Sequence, residues 1–387
     1  MALLGHSGSH APQLMHSSVI IMAIAGTFGI QMYNSNNLFS SLVQLGQWLL
    51  EDTAREEVPQ ALAEAGNGWF VKESVATALE ANGQALREDR LRGWQAQHHW
   101  PDQATGAKVG LILAGNLPLV GWHDIMCAIL AGHEVHVKLS QDDEVLPKWL
   151  LSKWAELEPY VGQAVTFHDG LMKGMDAVVA TGGANAGRYF QAYFGHLPHL
   201  FRGQRTSVAV LDGEETSEQL VGLGNDVFSH FGMGCRSVTK VWLPEGFDLD
   251  RCFAAWVGWG RLAQHSKYAN NYDYHKAVWL LNREELIENG FVIVKEEQEA
   301  LVSPIGTLFI ERYKDPKEVA IQLSQRSQEL QVVSARPGGE ASMALKAHPS
   351  LRVVALGDNQ FPELGDHADG VDTMEFLLGL SGAGRNA

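Results

Sequence analysis

The chain has 387 residues, 45% hydrophobic and 19% charged, which is long enough for two medium domains and too apolar for a disordered polymer. Its 45 acidic and 29 basic side chains leave a net charge of −16, which argues against nucleic-acid binding, because phosphate backbones demand basic stripes. The three cysteines, Cys127, Cys235 and Cys252, are odd in number and lack CxxC spacing, so neither a disulfide framework nor a metal site is expected and a reducing, cytoplasmic setting fits.

Residues 19–30 are nearly all apolar, and the first basic residue is Arg55. The run lacks the positive flank of a secretory signal and is shorter than the ~20 residues that span a bilayer. It is expected to be a non-native leader, with translation starting at Met32. Residues 38–62 and 73–97 then carry apolar residues at helical spacing, with Pro59 predicted to break the first of these stretches. From Lys108 short apolar runs alternate with helical segments: 109–113, 135–137, 164–167, 177–180 and 208–211. After a helix at 217–230 the alternation resumes with strands predicted at 238–243, 277–281, 291–294, 308–310 and 352–356. Apolar strands separated by helices predict parallel sheets covered on both faces. Two consecutive doubly wound α/β units are therefore expected: a leader (1–36), a cofactor-binding domain (37–205), a nucleophile-bearing domain (206–361) and a tail (362–387). The tail's helix, 371–380, would cap the core or meet a second subunit.

Four segments carry candidate chemistry. Asn116, in Gly115-Asn116-Leu117-Pro118, follows a strand; its amide suits an oxyanion, although a turn Asn before a Pro is equally ordinary. Lys138, with Ser140 beyond it, ends the next strand, where it would either hold a cofactor or simply be solvated. Thr181-Gly182-Gly183 opens a helix and would let backbone N–H groups approach a cofactor. Cys235, in Phe231-Gly232-Met233-Gly234-Cys235-Arg236-Ser237, has glycines lining its approach and Arg236 beside it, so its thiolate is expected to be favoured. Cys127 and Cys252 sit in apolar helical stretches and read as buried. His230, His265 and His275 show no nucleophile–base spacing and stay unassigned.

In their order along the chain these motifs resemble the aldehyde dehydrogenase superfamily, and within it the acyl-CoA reductase branch, that of the LuxC-like fatty-acyl reductases. The 201–206 segment Phe-Arg-Gly-Gln-Arg-Thr and the Asp369-Gly370-Val371-Asp372 segment look like that branch, and the resemblance covers residues 38–380. It implies Cys235 as nucleophile, Asn116 as oxyanion donor, and Lys138, Ser140, Thr181, Gly182 and Gly183 around a nicotinamide cofactor. It implies no metal and no membrane span, an acyl-CoA or acyl-carrier substrate, and a homo-oligomer as one assembly.

Three departures sharpen the expected reaction. Phe201 stands where ordinary family members carry the glutamate that activates water. Without that base an acyl-cysteine is better suited to reduction than to hydrolysis. Ser303 replaces a second glutamate, one that grips the nicotinamide ribose. Gln141 replaces an acid that pairs with the adenosine ribose, which favours NADPH over NADH, although Asp142 and Asp143 lie close by. The expected activity is reduction of an acyl-CoA to its aldehyde through an acyl-cysteine. The rivals are an acyl transferase or thioesterase that uses Cys235 without nicotinamide, an acyl-phosphate reductase, and a non-catalytic family member.

Overall fold

The computed structural model describes residues 32–383. The apolar stretch expected to be a leader lies outside the described residues.

The described residues begin with five helices, α1 (Ser35–Leu49), α2 (Asp52–Glu57), α3 (Gln60–Gly66), α4 (Lys72–Ala85) and α5 (Glu88–Gln95). Leu38, Leu42, Leu45 and Leu49 recur at helical spacing along α1 and are all fully buried. Pro59 precedes α3 directly, as its missing N–H and fixed φ allow. Next come β1 (Lys108–Ile112), α6 (Trp122–Leu130), β2 (Glu134–Lys138), α7 (Val145–Leu157), α8 (Tyr160–Ala164), β3 (Val165–Phe167), β4 (Ala177–Thr181), α9 (Ala184–Phe194) and β5 (His199–Arg202). These strands form one parallel sheet in the order β3-β2-β1-β4-β5.

A parallel crossover usually takes a dozen or more residues and a helix. The step from β3 to β4 uses only the non-helical segment 168–176. Met172 and Met175 from that segment fill the space against the sheet. Gly110 makes room for them, since a Cβ there would lie 3.1 Å from Met175 Cγ.

The second sheet is built from β6 (Thr206–Val210), β7 (Val238–Pro244), β8 (Ile287–Glu288), β9 (Ile293–Glu296), β10 (Thr307–Tyr313), β11 (Leu330–Ala335) and β12 (Val353–Val354). Its order is β12-β11-β6-β7-β10-β9-β8, with only the short β8 antiparallel to its neighbour. Helices α10 (Ser217–Phe228), α11 (Asp250–Trp256), α12 (Ser266–Leu281), α13 (Pro316–Gln325) and α14 (Glu340–Lys346) accompany it. The first sheet ends at Arg202 and the second begins at Thr206, so residues 203–205 link the two sheets. The last helix, α15 (Thr373–Ala383), returns to the first unit, where Met374 and Leu377 join its hydrophobic core.

One predicted strand is wrong. Residues 277–281 are the last turns of α12, and they leave Leu280 and Leu281 exposed. A short apolar run has no periodicity of its own, and the helix is set by its start at Ser266, sixteen residues long and capped by His265. Strands β5, β8 and β11 went unpredicted; β8 is only two exposed residues. Strand β5 is short and half polar; β11 follows a turn and holds two polar residues among its six.

Candidate active site

Register brings the first sheet's candidates together. Ile112 pairs with Lys138 on one side and Ala180 on the other, and Thr181 pairs with Arg202. The loops after β1, β2 and β4 therefore emerge side by side at the carboxyl edge, where open α/β sheets place ligands. Gly183 is the N-cap of α9, and no side chain among the described residues caps that helix. Its first-turn N–H groups are left for a polar or anionic ligand. Gly182 must be glycine for a different reason: a Cβ there would lie 2.8 Å from that of Ala186. Lys138 is half-buried at the end of its strand. Ser140 is spent largely on local structure, its Oγ accepting the Asp142 N–H at 3.3 Å while its Cβ wedges against Gly115.

The Asn116 loop is pinned from both sides. Asn67 Nδ2 donates to the Gly115 carbonyl at 3.3 Å, and the Leu119 N–H donates to Asp143 Oδ2 at 2.8 Å. Leu119 has φ of 59°, a left-handed conformation that a leucine keeps only when it is held there. Asp143 is buried, and its other oxygen has no partner among the described residues. Burial pushes its carboxyl up to about 8, against the pull of the Leu119 N–H. No sequence pattern marks Asp143 for this role.

Cys235 comes from the second sheet, on the turn between α10 and β7. His230, Phe231 and Gly232 are all left-handed, so the chain reverses abruptly after α10. The turn then closes on Ser237, whose N–H donates to the Gly234 carbonyl at 3.0 Å while its Oγ accepts the Gly234 N–H at 3.1 Å. In a trans peptide the C=O and the following N–H point in opposite directions. With the Gly234 carbonyl turned toward Ser237, the Cys235 N–H faces the other way. Ser207 Oγ holds the Cys235 carbonyl at 2.9 Å, and Asn359 Nδ2 holds the Arg236 carbonyl at 2.9 Å. Asn359 is fully buried and is itself fixed by its N–H to Asp226 and by Ser334.

The two loops meet. Asn116 Nδ2 donates to the Met233 carbonyl at 3.3 Å, and a Cβ on Gly234 would lie 3.0 Å from Leu117 Cδ1. Asn116 and Cys235 are both open to solvent, whereas Cys127 and Cys252 are buried. The Cys235 sulfur is nonetheless ringed by protein, and desolvation pushes its pKa up. Arg236, the Cys235 N–H and Arg202 pull it down without reversing the shift, and Asp369 adds to it. This corrects the expectation of a favoured thiolate: the Arg236 guanidinium faces Asp366 at 3.6 Å.

Phe201 stacks on His199, ring centroids 4.1 Å apart, and packs on Phe190, so the place aligned with the water-activating glutamate is apolar. Ser303 Oγ donates to the Thr307 carbonyl at 2.7 Å. Arg202, singled out only as part of a motif, forms a buried ion pair with Asp124 and donates to Thr373 Oγ1 at 2.6 Å, clamping α15 onto the first unit.

The family model described as acyl-CoA reductase (LuxC) matches residues 55–250, half of the chain. The chain belongs to the LuxC acyl-CoA reductase family. A long-chain acyl-protein thioester reductase from Aliivibrio fischeri is 24% identical to it over 318 residues, covering 71% of this chain and 63% of that protein. This LuxC-family chain thus spans less than two thirds of that relative's length. Among solved structures, aldehyde dehydrogenase 21 from Physcomitrella patens, in complex with succinate, superposes with a TM-score of 0.66 at 12% identity, over 94% of this chain and 88% of that one. A Mycobacterium tuberculosis aldehyde dehydrogenase complexed with NAD+ gives 0.61 at 14% identity, over 88% and 81%. The fold is that of the aldehyde dehydrogenases. No helix among the described residues is long and apolar enough to cross a membrane.

Proposed function

We propose that this LuxC-family protein reduces an acyl-CoA, or an acyl group on a carrier, to the aldehyde through a thioester on Cys235. The observation that carries this reading is the contact between Asn116 and the Cys235 turn, which joins the carboxyl edge of one sheet to the only exposed cysteine among the described residues. Cys235 Sγ attacks the thioester carbonyl. The developing oxyanion accepts hydrogen bonds from the Asn116 amide and from the Cys235 N–H, which its turned peptide leaves free of the Ser237 contact. The bond to the donor sulfur breaks, and the donor leaves as a thiol carrying the proton that Cys235 gives up, with the acyl group left on the Cys235 sulfur.

The residues present fit a nicotinamide cofactor. The uncapped start of α9 at Gly183 and the cation of Lys138 share one sheet edge with Asn116, and Thr181 and Gly182 lead into that helix. When bound there, the reduced cofactor supplies hydride to the acyl carbon. Gln141 and Asp142 are exposed near Lys138, while Asp143 is turned inward under Leu119, leaving fewer acids to repel a 2′-phosphate; NADPH is the preferred form. The apolar ring of Phe201 offers no proton acceptor for water, so the acyl-cysteine is protected from hydrolysis.

The test mixes the protein with short- and long-chain acyl-CoAs and either NADPH or NADH, follows nicotinamide absorbance, traps aldehyde, and includes Cys235→Ser. The expected result is thioester-dependent oxidation of the nicotinamide that the serine variant lacks. Release of CoA without nicotinamide oxidation would instead establish a transferase or thioesterase.

A further inference from the structure

Asp226 lies in the last turn of α10, fully buried. An acid removed from water is costly to keep ionised, and burial pushes its pKa up to about 7, with Asp358 adding to the rise. Its two oxygens hold two backbone N–H groups of one loop: Gly357 donates to Oδ2 at 2.7 Å and Asn359 to Oδ1 at 3.1 Å. The loop presses onto α10 closely enough to need glycine on both sides. A Cβ on Gly222 would lie 2.8 Å from the Leu356 carbonyl oxygen, and one on Gly357, which is left-handed with φ of 99°, would lie 3.0 Å from Gly222 Cα.

From this loop a chain of contacts runs to Cys235. Asn359 Nδ2 donates to the Arg236 carbonyl at 2.9 Å, and Ser334 Oγ donates to Asn359 Oδ1 at 2.8 Å, which fixes the way the amide faces. The Arg236 carbonyl shares a peptide plane with the Ser237 N–H, and the two point in opposite directions. That N–H donates to the Gly234 carbonyl at 3.0 Å, and the Gly234 peptide carries the Cys235 N–H on its far side. Two rigid peptide planes thus connect the Asn359 amide to the Cys235 N–H, and Asp226 anchors Asn359 by its backbone.

We propose that Asp226 is a positioning residue for acyl transfer, acting through Asn359 to aim the Cys235 N–H at the oxyanion. The proposal rests on the reading of Cys235 as the acyl acceptor. It separates two reactions of one sulfur. Attack on a thioester develops an oxyanion and needs the aimed N–H, whereas alkylation by iodoacetamide displaces iodide from a saturated carbon and forms no oxyanion. Outright loss of an oxyanion donor costs ~10²–10³ in rate, so a misdirected one should cost about tenfold.

The experiment follows Cys235 by intact mass, measuring acylation by acetyl-CoA and decanoyl-CoA and alkylation by iodoacetamide. Asp226→Asn offers one oxygen for two N–H groups. It should slow acylation about tenfold and leave alkylation within about twofold of the wild type. Asn359→Ala should show the same split, and the double variant should be no slower than either single one, because both changes break one chain of contacts. Should Asp226→Asn unsettle α10, Ser334→Ala disturbs only the far end of the chain and should show the split at about threefold. Equal losses in both reactions would overturn the proposal, as would unchanged acylation or single losses that multiply in the double variant. No acyl-enzyme in the wild type, with iodoacetamide still labelling Cys235, would instead take down the reading of Cys235 as the acyl acceptor.

Discussion

Replacing Asp143 by asparagine keeps the shape of the side chain and removes its charge. The amide oxygen can still accept the Leu119 N–H that holds the Asn116 loop, so the variant isolates the cost of ionising a buried carboxyl. Burial raises that carboxyl from 3.8 to about 8, and one pKa unit corresponds to about 1.4 kcal/mol. Unfolded, the group ionises near its ordinary value. The folded form alone therefore holds the proton between the two values, and stability falls as pH rises. The stabilising contribution is complete below about pH 4 and is lost as pH climbs through about 8. From about pH 5 to 7 the wild type should lose roughly 2–3 kcal/mol relative to Asp143→Asn. Urea unfolding of both proteins at several pH values, followed by tryptophan fluorescence, measures this difference, and the contributions of other titrating groups cancel. Parallel pH dependences would refute the assignment of a neutral Asp143. Asp143→Ala separates the structural role from the charge. It strands the Leu119 N–H, costs about 1–3 kcal/mol and should lower turnover by releasing the Asn116 loop.

Asn116→Ala should retain Cys235 acylation and lose about 10²–10³ in turnover, measured as aldehyde formed per enzyme; near-normal turnover would remove the amide from the mechanism. Alkylation of Cys235 by iodoacetamide should show an apparent pKa above the ordinary cysteine range, moving higher still in Arg236→Met because the arginine opposes the upward shift. An unchanged midpoint in that variant would show that the guanidinium does not act on the sulfur. Asp124→Ala leaves Arg202 buried without its carboxylate and should cost about 3–5 kcal/mol in urea unfolding, with α15 the first element to gain amide exchange.

What the sequence made legible was whatever local chemistry dictates. Apolar runs bounded by turns placed β1, β2, β4, β6 and β7 to within a residue or two, and the Gly183 opening of α9 followed from its glycines. Cys235 stood apart from Cys127 and Cys252 by its neighbours alone, and their burial matches that separation. The error at 277–281 arose where a run of five residues fits either period. The helical alternative became visible only in the whole length of α12, from its His265 cap onward.

The supports of the Cys235 turn belong to a different class. The Ser207 hydroxyl reaches the Cys235 carbonyl across 28 residues, and the Asn359 amide reaches Arg236 across 123. Neither has a spacing that a sequence pattern can encode, because such partners are chosen by the packing of strands and loops. Asp143 illustrates the same point: beside Asp142 it resembles one more surface acid, and only the fold turns it inward beneath Leu119. Arg236 shows that even adjacency can mislead. Next to Cys235 in the chain, it suggests an ionised sulfur, yet its guanidinium is directed to Asp366, which also pairs with Arg352. Its charge is thus shared with a carboxylate, while protein atoms crowd around the solvent-open sulfur. Desolvation, a property of the assembled cleft, outweighs the nearby cation and keeps the thiol protonated to higher pH than its neighbours in the sequence imply.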